Sequence, residues 1–336
     1  MQHQKPYLFL FFSTLLSSTI MAISSSNFIL LWISLELNMM SFIPILSSSK
    51  SNLETEAAIK YFLAQATGSG FLLLGISSIS IFNNLMSQFP FILILSMGLL
   101  IKMGAVPFHF WFPHVMSNIS WLSCIILSTW QKIIPIMILS YYSSSIPYLF
   151  LPIAILSASV GALGGLKQSH LPSLMAYSSI AHLGWMISSI PFNSFTTIIY
   201  FIIYSISTAI SMLIMNLMKT LNLKSMISSN LISMKMKLLL SMSILSLGGM
   251  PPLLGFIPKI IILKTLLQSS NQLCALILLL SSVLTLSYYL NMSISSLMSS
   301  SIPSPSNPPQ SPSFFNTSIL TPLAILTLGL FPLLLI

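Results

Sequence analysis

Arginine and aspartate are absent from this 336-residue chain; its acidic side chains are Glu36, Glu54 and Glu56, and its 12 basic residues are all lysines. Charged residues make up 4% of the sequence, against about 25% in a soluble globular domain, which excludes a water-soluble domain. The net charge of +9 comes from lysines scattered between apolar runs. They form no basic stripe, so the excess does not point to nucleic acid. Cysteine is scarce too. Cys124 and Cys274 lie inside apolar runs with no partner at metal or redox spacing, so they read as small core residues, and neither a disulfide scaffold nor a metal site is expected. No nucleotide fingerprint, CxxC pair, haem-attachment motif or nucleophile elbow occurs. Any redox chemistry is therefore expected on another chain, with no cofactor or metal held here.

What is present is hydrophobic length. Apolar residues form 55% of the chain, the mean hydropathy is +0.96, and runs of about 20 such residues read as membrane-spanning helices. The fold expected is an all-α polytopic membrane protein. About eleven spans are counted, near 7–23, 26–46, 54–82, 90–115, 119–143, 148–167, 171–190, 194–219, 235–268, 272–298 and 314–336. The first, Tyr7 to Ile23, lacks a cleavage pattern and is read as a retained helix. Residues 299–313, SSIPSPSNPPQSPS with its leading serine, cannot continue a helix and read as an extended link before a lone C-terminal helix, 314–336.

The lysines test that count, because cytoplasmic-type loops hold the positive charge. If the spans alternate, Lys5, Lys50, Lys60, Lys167, Lys219, Lys224, Lys235 and Lys237 share the side of the N-terminus, and the loops around Ser24, Gln88, Ser145, Pro191 and Asn271 carry none. The N-terminus is placed on the positive-inside face and the C-terminus opposite. Ser51 to Glu54 has capping-box spacing and Glu56 with Lys60 is an i,i+4 pair, which reads as helix-start chemistry.

Two spans are expected to be interrupted. Lys102 stands in an apolar run just before Gly104 and Pro107, and the stretch from Gly248 through Pro251 and Pro252 leads to Lys259. Breaking a helix frees backbone groups that lipid cannot satisfy, and paired interrupted helices point to a transporter's central site. Four charges fit no loop: Glu36, Lys102, Lys132 and Lys259. An ammonium at mid-membrane depth costs roughly 2.5–3.5 kcal/mol on insertion scales. Each could be half of a static ion pair or a snorkelling lysine, the reading preferred for Lys264. One carboxylate cannot directly neutralise three lysines, however, so the remainder are expected to line water or to titrate. His109 and His182 are candidates to relay protons, with a structural role equally open; His3 and His170 are weaker candidates. Methionines and aromatics read as packing and interface anchors.

The same stretches resemble one family, the mitochondrially encoded subunit 2 of NADH:ubiquinone oxidoreductase, respiratory complex I. LELN and FIPIL around Glu36, EAAIKYFLAQA from Glu56, KMGAVPFHFWFP from Lys102, TWQK at Lys132, GGLKQ and LMAYSSIAHLGWM from Gly164, and LSLGGMPPLLGFIPK ending at Lys259 follow in family order. The resemblance implies an antiporter-like, proton-translocating subunit of the membrane arm. Its bundle would occupy residues 1–298, with inverted repeats at about 7–143 and 148–298, after loss of three N-terminal helices from a longer ancestor. Glu36 with Lys102 would form the first half-channel pair, Lys132 the central link, and Lys259 would serve the second half-channel. Partners would be other membrane-arm subunits and lipids, with FMN, iron–sulfur clusters and ubiquinone on other chains. The location implied is the mitochondrial inner membrane, N-terminus in the matrix and C-terminus in the intermembrane space. Three positions depart from the family pattern: His114 where an acidic residue is common, Pro172 and Ser173 where a basic pair is common, and Asn291 where an arginine is common. The rival readings are a stand-alone cation/proton antiporter, disfavoured by the single intramembrane carboxylate, and a structural scaffold, which needs no helix breaks beside lysines.

Overall fold

The computed structural model describes residues 6–48, 51–82, 89–143, 147–227 and 234–298. Lys5, Lys50, His3, the link at 299–313 and the helix expected at 314–336 lie outside the described residues. Among those described, the chain is helical except for turns, breaks and one antiparallel bridge between His170 and Asn222. It divides into two compact units, residues 1–147 and 148–336.

The first unit contains α1 (Pro6–Ser24), α2 (Phe28–Leu46), α3 (Asn52–Phe82), α4 (Phe89–Met103), α5 (Trp111–Asn118), α6 (Trp121–Ser128) and α7 (Trp130–Tyr142). Helices α3 and α4 can lie side by side because glycine meets glycine between them. A Cβ on Gly98 would stand 2.7 Å from the carbonyl oxygen of Gly68, and one on Gly75 would stand 2.9 Å from Leu95. The start of α3 is capped as its spacing suggests, with the Glu54 N–H donating to Ser51 Oγ at 3.3 Å. Glu56 and Lys60 form their ion pair on the surface at 2.6 Å.

The second unit contains α8 (Pro147–Leu166), α9 (Leu171–Ser189), α10 (Ser194–Met218), α11 (Leu223–Ile227), α12 (Met234–Gly248), α13 (Phe256–Gln268) and α14 (Gln272–Met298). Helix α9 is its axis, with every residue but Tyr177 buried. A helix with so many serines survives there because Ser178, Ser179, Ser188 and Ser189 each donate to the carbonyl three residues back, at 2.7–3.0 Å, leaving few polar groups unsatisfied. Small residues bring α8 against it, since a Cβ on Gly184 would fall 2.7 Å from the Ala158 nitrogen.

Among the described residues seven helical stretches are long and apolar enough to cross a membrane, one of them running through α6 and α7, with Pro90–Met103 a shorter apolar one. Both expected breaks are present, at residues 104–110 and 249–255. The span expected at 119–143 is present as Trp121–Tyr142, with one irregular residue between α6, which ends at Ser128, and α7, which begins at Trp130. The Thr129 N–H still reaches the Ile125 carbonyl at 3.0 Å and its hydroxyl donates to the same carbonyl at 2.6 Å, while Pro135 leaves the Gln131 carbonyl without its helical donor. Lys237, expected among loop lysines, lies instead in the first turn of α12 and is 2% exposed.

Candidate functional site

The two expected breaks are built alike. Helix α4 ends with the Gly104 N–H on the Ile101 carbonyl and the Ala105 N–H on the Leu100 carbonyl, both at 3.1 Å. Helix α12 ends with the Gly249 N–H on the Ser246 carbonyl at 3.1 Å and the Met250 N–H on the Leu245 carbonyl at 3.4 Å. These are Schellman closures. They require a left-handed residue, and Gly104 and Gly249 supply it with φ of 70° and 78°.

Each closure leaves carbonyls pointing out of the helix end, and each unit satisfies them differently. In the first, the Trp111 indole donates to the Ile101 carbonyl at 3.1 Å and the Gln65 amide to the Lys102 carbonyl at 3.2 Å. In the second, Lys259 reaches back from α13 and donates its ammonium to the Gly248 carbonyl at 2.7 Å. Lys102 therefore precedes its glycine in the last turn of α4, whereas Lys259 follows its glycine on the returning half-helix. Both ammonium groups belong to the negative end of a half-helix dipole. His114 stands as far beyond Gly104 as Lys259 does beyond Gly249, but it is exposed.

The sequence candidates take up definite places in this frame. Lys102 and Lys259 are buried, and Lys132, at the start of α7, is 1% exposed with its ammonium 4.9 Å from the centre of the Phe112 ring. Phe112 itself packs against Gly104, so Lys132 abuts the first break through one aromatic ring. Glu36 on α2 is half-buried and within electrostatic reach of Lys102, but no ion pair within 4.0 Å joins them. His109 lies in the first break, its Nδ1 3.3 Å from the Pro107 carbonyl. His182 lies on α9, its Nδ1 2.8 Å from the Tyr200 hydroxyl.

A small cavity accompanies each break. One is bordered by Lys102, Asn38, Tyr61, Gln65 and Gln131 among others. The other is bordered by His182, Tyr200, Tyr204, Ser246 and Gly255 among others. Each unit thus combines a helix end, a buried lysine and a polar cavity, which together can hold, solvate and release a proton.

A model of the family described as NADH:quinone oxidoreductase/Mrp antiporter, transmembrane, matches residues 25–285. NADH-ubiquinone oxidoreductase chain 2 of Lumbricus terrestris is 41% identical over 296 residues, 88% of each chain. The protein of the same name from Oryctolagus cuniculus is 39% identical over 335 residues, covering 95% of this chain and 94% of its own. The chain belongs to the NADH-ubiquinone oxidoreductase chain 2 family. Its fold is also that of a chain of respiratory complex I from Thermus thermophilus, with a TM-score of 0.86 at 21% identity over 98% of this chain and 79% of that one. A chain of the Mrp complex from Dietzia shares the fold at a TM-score of 0.77 and 14% identity, over 95% of this chain and 73% of its own.

In this member of the NADH-ubiquinone oxidoreductase chain 2 family, sequence reasoning on charges passed over the neutral polar groups. Asn38, Gln65 and Gln131 carry no charge to mark them, although each lies in a stretch that carried the resemblance. Tyr200 had no marker at all, being one tyrosine among apolar neighbours on α10.

Proposed function

We propose that this chain is the antiporter-like membrane-arm subunit of the proton-translocating NADH:ubiquinone oxidoreductase, taking part in proton movement driven by electron transfer from NADH to ubiquinone elsewhere in the complex. On this reading it resides in the mitochondrial inner membrane among other membrane-arm subunits and lipids. Flavin, iron–sulfur clusters and ubiquinone are held by other chains. About eleven helices cross the membrane, with repeats at about 7–143 and 148–298, the link at 299–313 and a last helix at 314–336. The N-terminus faces the matrix.

The observation that carries the proposal is the pairing, in each unit, of a glycine-closed half-helix with a buried lysine at its carbonyl end. Glu36, Lys102, Lys132 and Lys259 are the groups assigned to the path, with His109 and His182 beside it. Lys102 is stabilised as a cation by the end of α4 and by the charge of Glu36. A proton arriving on Lys132 raises the positive potential behind Phe112 and favours release from Lys102. Glu36 then favours its recharging. At Lys259 the Gly248 carbonyl and the end of α12 take the part that a carboxylate would play.

A stand-alone cation/proton antiporter would share this fold, but such a carrier needs an acidic cluster for its cation. Among the described residues no group of three or more His, Cys, Asp or Glu side chains comes together. The decisive measurement is protons moved per NADH oxidised by assembled complex carrying Lys102→Met, beside the amount of complex assembled. The expected result is impaired pumping with assembly retained. Normal stoichiometry in that complex overturns the assignment.

A further inference from the structure

The cavity beside Lys102 holds polar groups that neither the helix breaks nor the lysine path uses. Asn38 is 2% exposed and borders the cavity, and neither atom of its carboxamide has a protein partner. Across from it, Gln131 accepts from the Tyr61 hydroxyl at 3.4 Å through Oε1, while its Nε2 has no partner. Gln65, which also borders the cavity, is committed to the Lys102 carbonyl. Buried carboxamides are almost always hydrogen-bonded, and turning the Asn38 amide over still presents one donor and one acceptor.

We infer that Asn38 and Gln131 hold a water molecule against Lys102, and that Asn38 is a positioning residue for proton transfer at that lysine. Asn38 Oδ1 supplies an acceptor and Asn38 Nδ2, Gln131 Nε2 and the Lys102 ammonium supply donors, of which a water takes two at a time, so the 2–4 partners of a buried water are at hand. The space suits one water better than a chain of them. Three of the partners are neutral and fixed, so the water is oriented by groups that do not titrate. When the charge on Lys132 drives Lys102 to give up its proton, the water accepts that proton and hands one of its own on to water at the mouth of the cavity. The water ends as water and both carboxamides are unchanged. This rests on the proton path assigned above, and it adds a ligand site that the charges alone do not reveal.

The test compares Asn38→Leu, Asn38→Ser and Lys102→Met in assembled complex reconstituted into sealed vesicles, reading protons per NADH, coupled turnover and assembled amount. Asn38→Leu keeps the branched shape and removes both hydrogen-bonding atoms. It is expected to slow coupled turnover about tenfold, the kinetic equivalent of one net hydrogen bond, with assembly retained. Asn38→Ser, which leaves a hydroxyl and room for water, is expected to restore most of the rate. Where Asn38→Leu lowers assembly, Gln131→Leu removes the opposite partner and carries the same comparison. A high-resolution map of the native complex is also expected to show a water within about 3.5 Å of the Asn38 amide and the Lys102 ammonium. Normal turnover in Asn38→Leu while Lys102→Met fails overturns the water site and leaves the lysine path standing. Equal loss in Asn38→Leu and Asn38→Ser also overturns it, because a hydroxyl with room for water should restore what the hydrocarbon removes. Normal pumping in Lys102→Met overturns the path itself.

Discussion

Replacing Gly249 by alanine separates the conformational role of a helix-ending glycine from its role beside a lysine. An L-residue held at φ 78° costs roughly 1–2 kcal/mol in backbone strain. The new Cβ would also stand 2.7 Å from Lys259 Nζ and 3.0 Å from its Cδ and Cε. Ordinary contact needs about 3.5 Å or more, so the ammonium has to move by close to 1 Å. The bond it gives the Gly248 carbonyl is 2.7 Å long and would stretch past the range of a useful hydrogen bond. A hydrogen bond from a charged group contributes about 1.5–3 kcal/mol, which weakens the hold on the ammonium by roughly 10- to 150-fold at about 1.4 kcal/mol per decade.

Gly104→Ala supplies the control. Its φ of 70° imposes the same backbone strain, but its Cβ would meet Phe112 at 3.1 Å, a contact that can yield by a few tenths of an ångström without taking a hydrogen bond from a lysine. Both variants are expected to lower the thermal stability of the assembled complex to a similar degree. Only Gly249→Ala is expected to cut coupled turnover at least tenfold. Measuring assembled complex by native electrophoresis, its melting temperature, and proton uptake per NADH in vesicles distinguishes them. Equal turnover in the two variants, or normal pumping in Gly249→Ala, would refute the view that the Gly248 carbonyl is what steadies Lys259.

Two further outcomes follow from the same geometry. Tyr200→Phe removes the hydroxyl 2.8 Å from His182 Nδ1 while keeping the ring, and is expected to slow coupled turnover severalfold with assembly unchanged; unaltered turnover would leave His182 a structural histidine. The proposed topology puts Lys224 on the matrix side, so a membrane-impermeant amine reagent should modify it in inverted vesicles and not in intact mitoplasts, and labelling from the intermembrane-space side would reverse the orientation.

The helix breaks and the buried lysines were legible because each is a local contradiction in the sequence: a cation in an apolar run, followed by glycine and proline. The lysine and the breaker lie within a few residues of one another, so no knowledge of tertiary contacts was needed. The irregular residue at Thr129 is not announced by residue type: Pro44 and Pro152 lie inside continuous helices, and Thr208 makes the same hydroxyl bond four residues back inside continuous α10. Glu36 and Lys102, expected to couple directly or through a water, lie within electrostatic reach of one another with no ion pair within 4.0 Å. Mid-depth position on two helices does not fix the rotation of either, and α2 turns Asn38 rather than Glu36 toward the cavity that Lys102 borders. The burial of Lys237 could not be read from charge asymmetry, which treats every lysine near a helix start as solvated.

The shortage of carboxylates and the excess of lysines have one physical resolution. A buried ammonium needs negative potential, and a carboxylate is the strongest source of it. A carboxylate within bonding distance, however, would hold the proton on the lysine through every cycle. Helix ends offer a weaker source, equivalent to about half a charge, and here they are produced by the same glycine closures that interrupt α4 and α12. Lys259 takes one such carbonyl directly, and Lys102 lies in the turn that ends the other. Lys132 rests on an aromatic face, another source of modest negative potential. Glu36, held back from contact, supplies a field at Lys102 without locking it. On the proposed path each lysine would then be stabilised enough to be charged inside an apolar bundle and loosely enough to be discharged when a neighbouring charge changes, which is the condition a proton-carrying lysine has to meet.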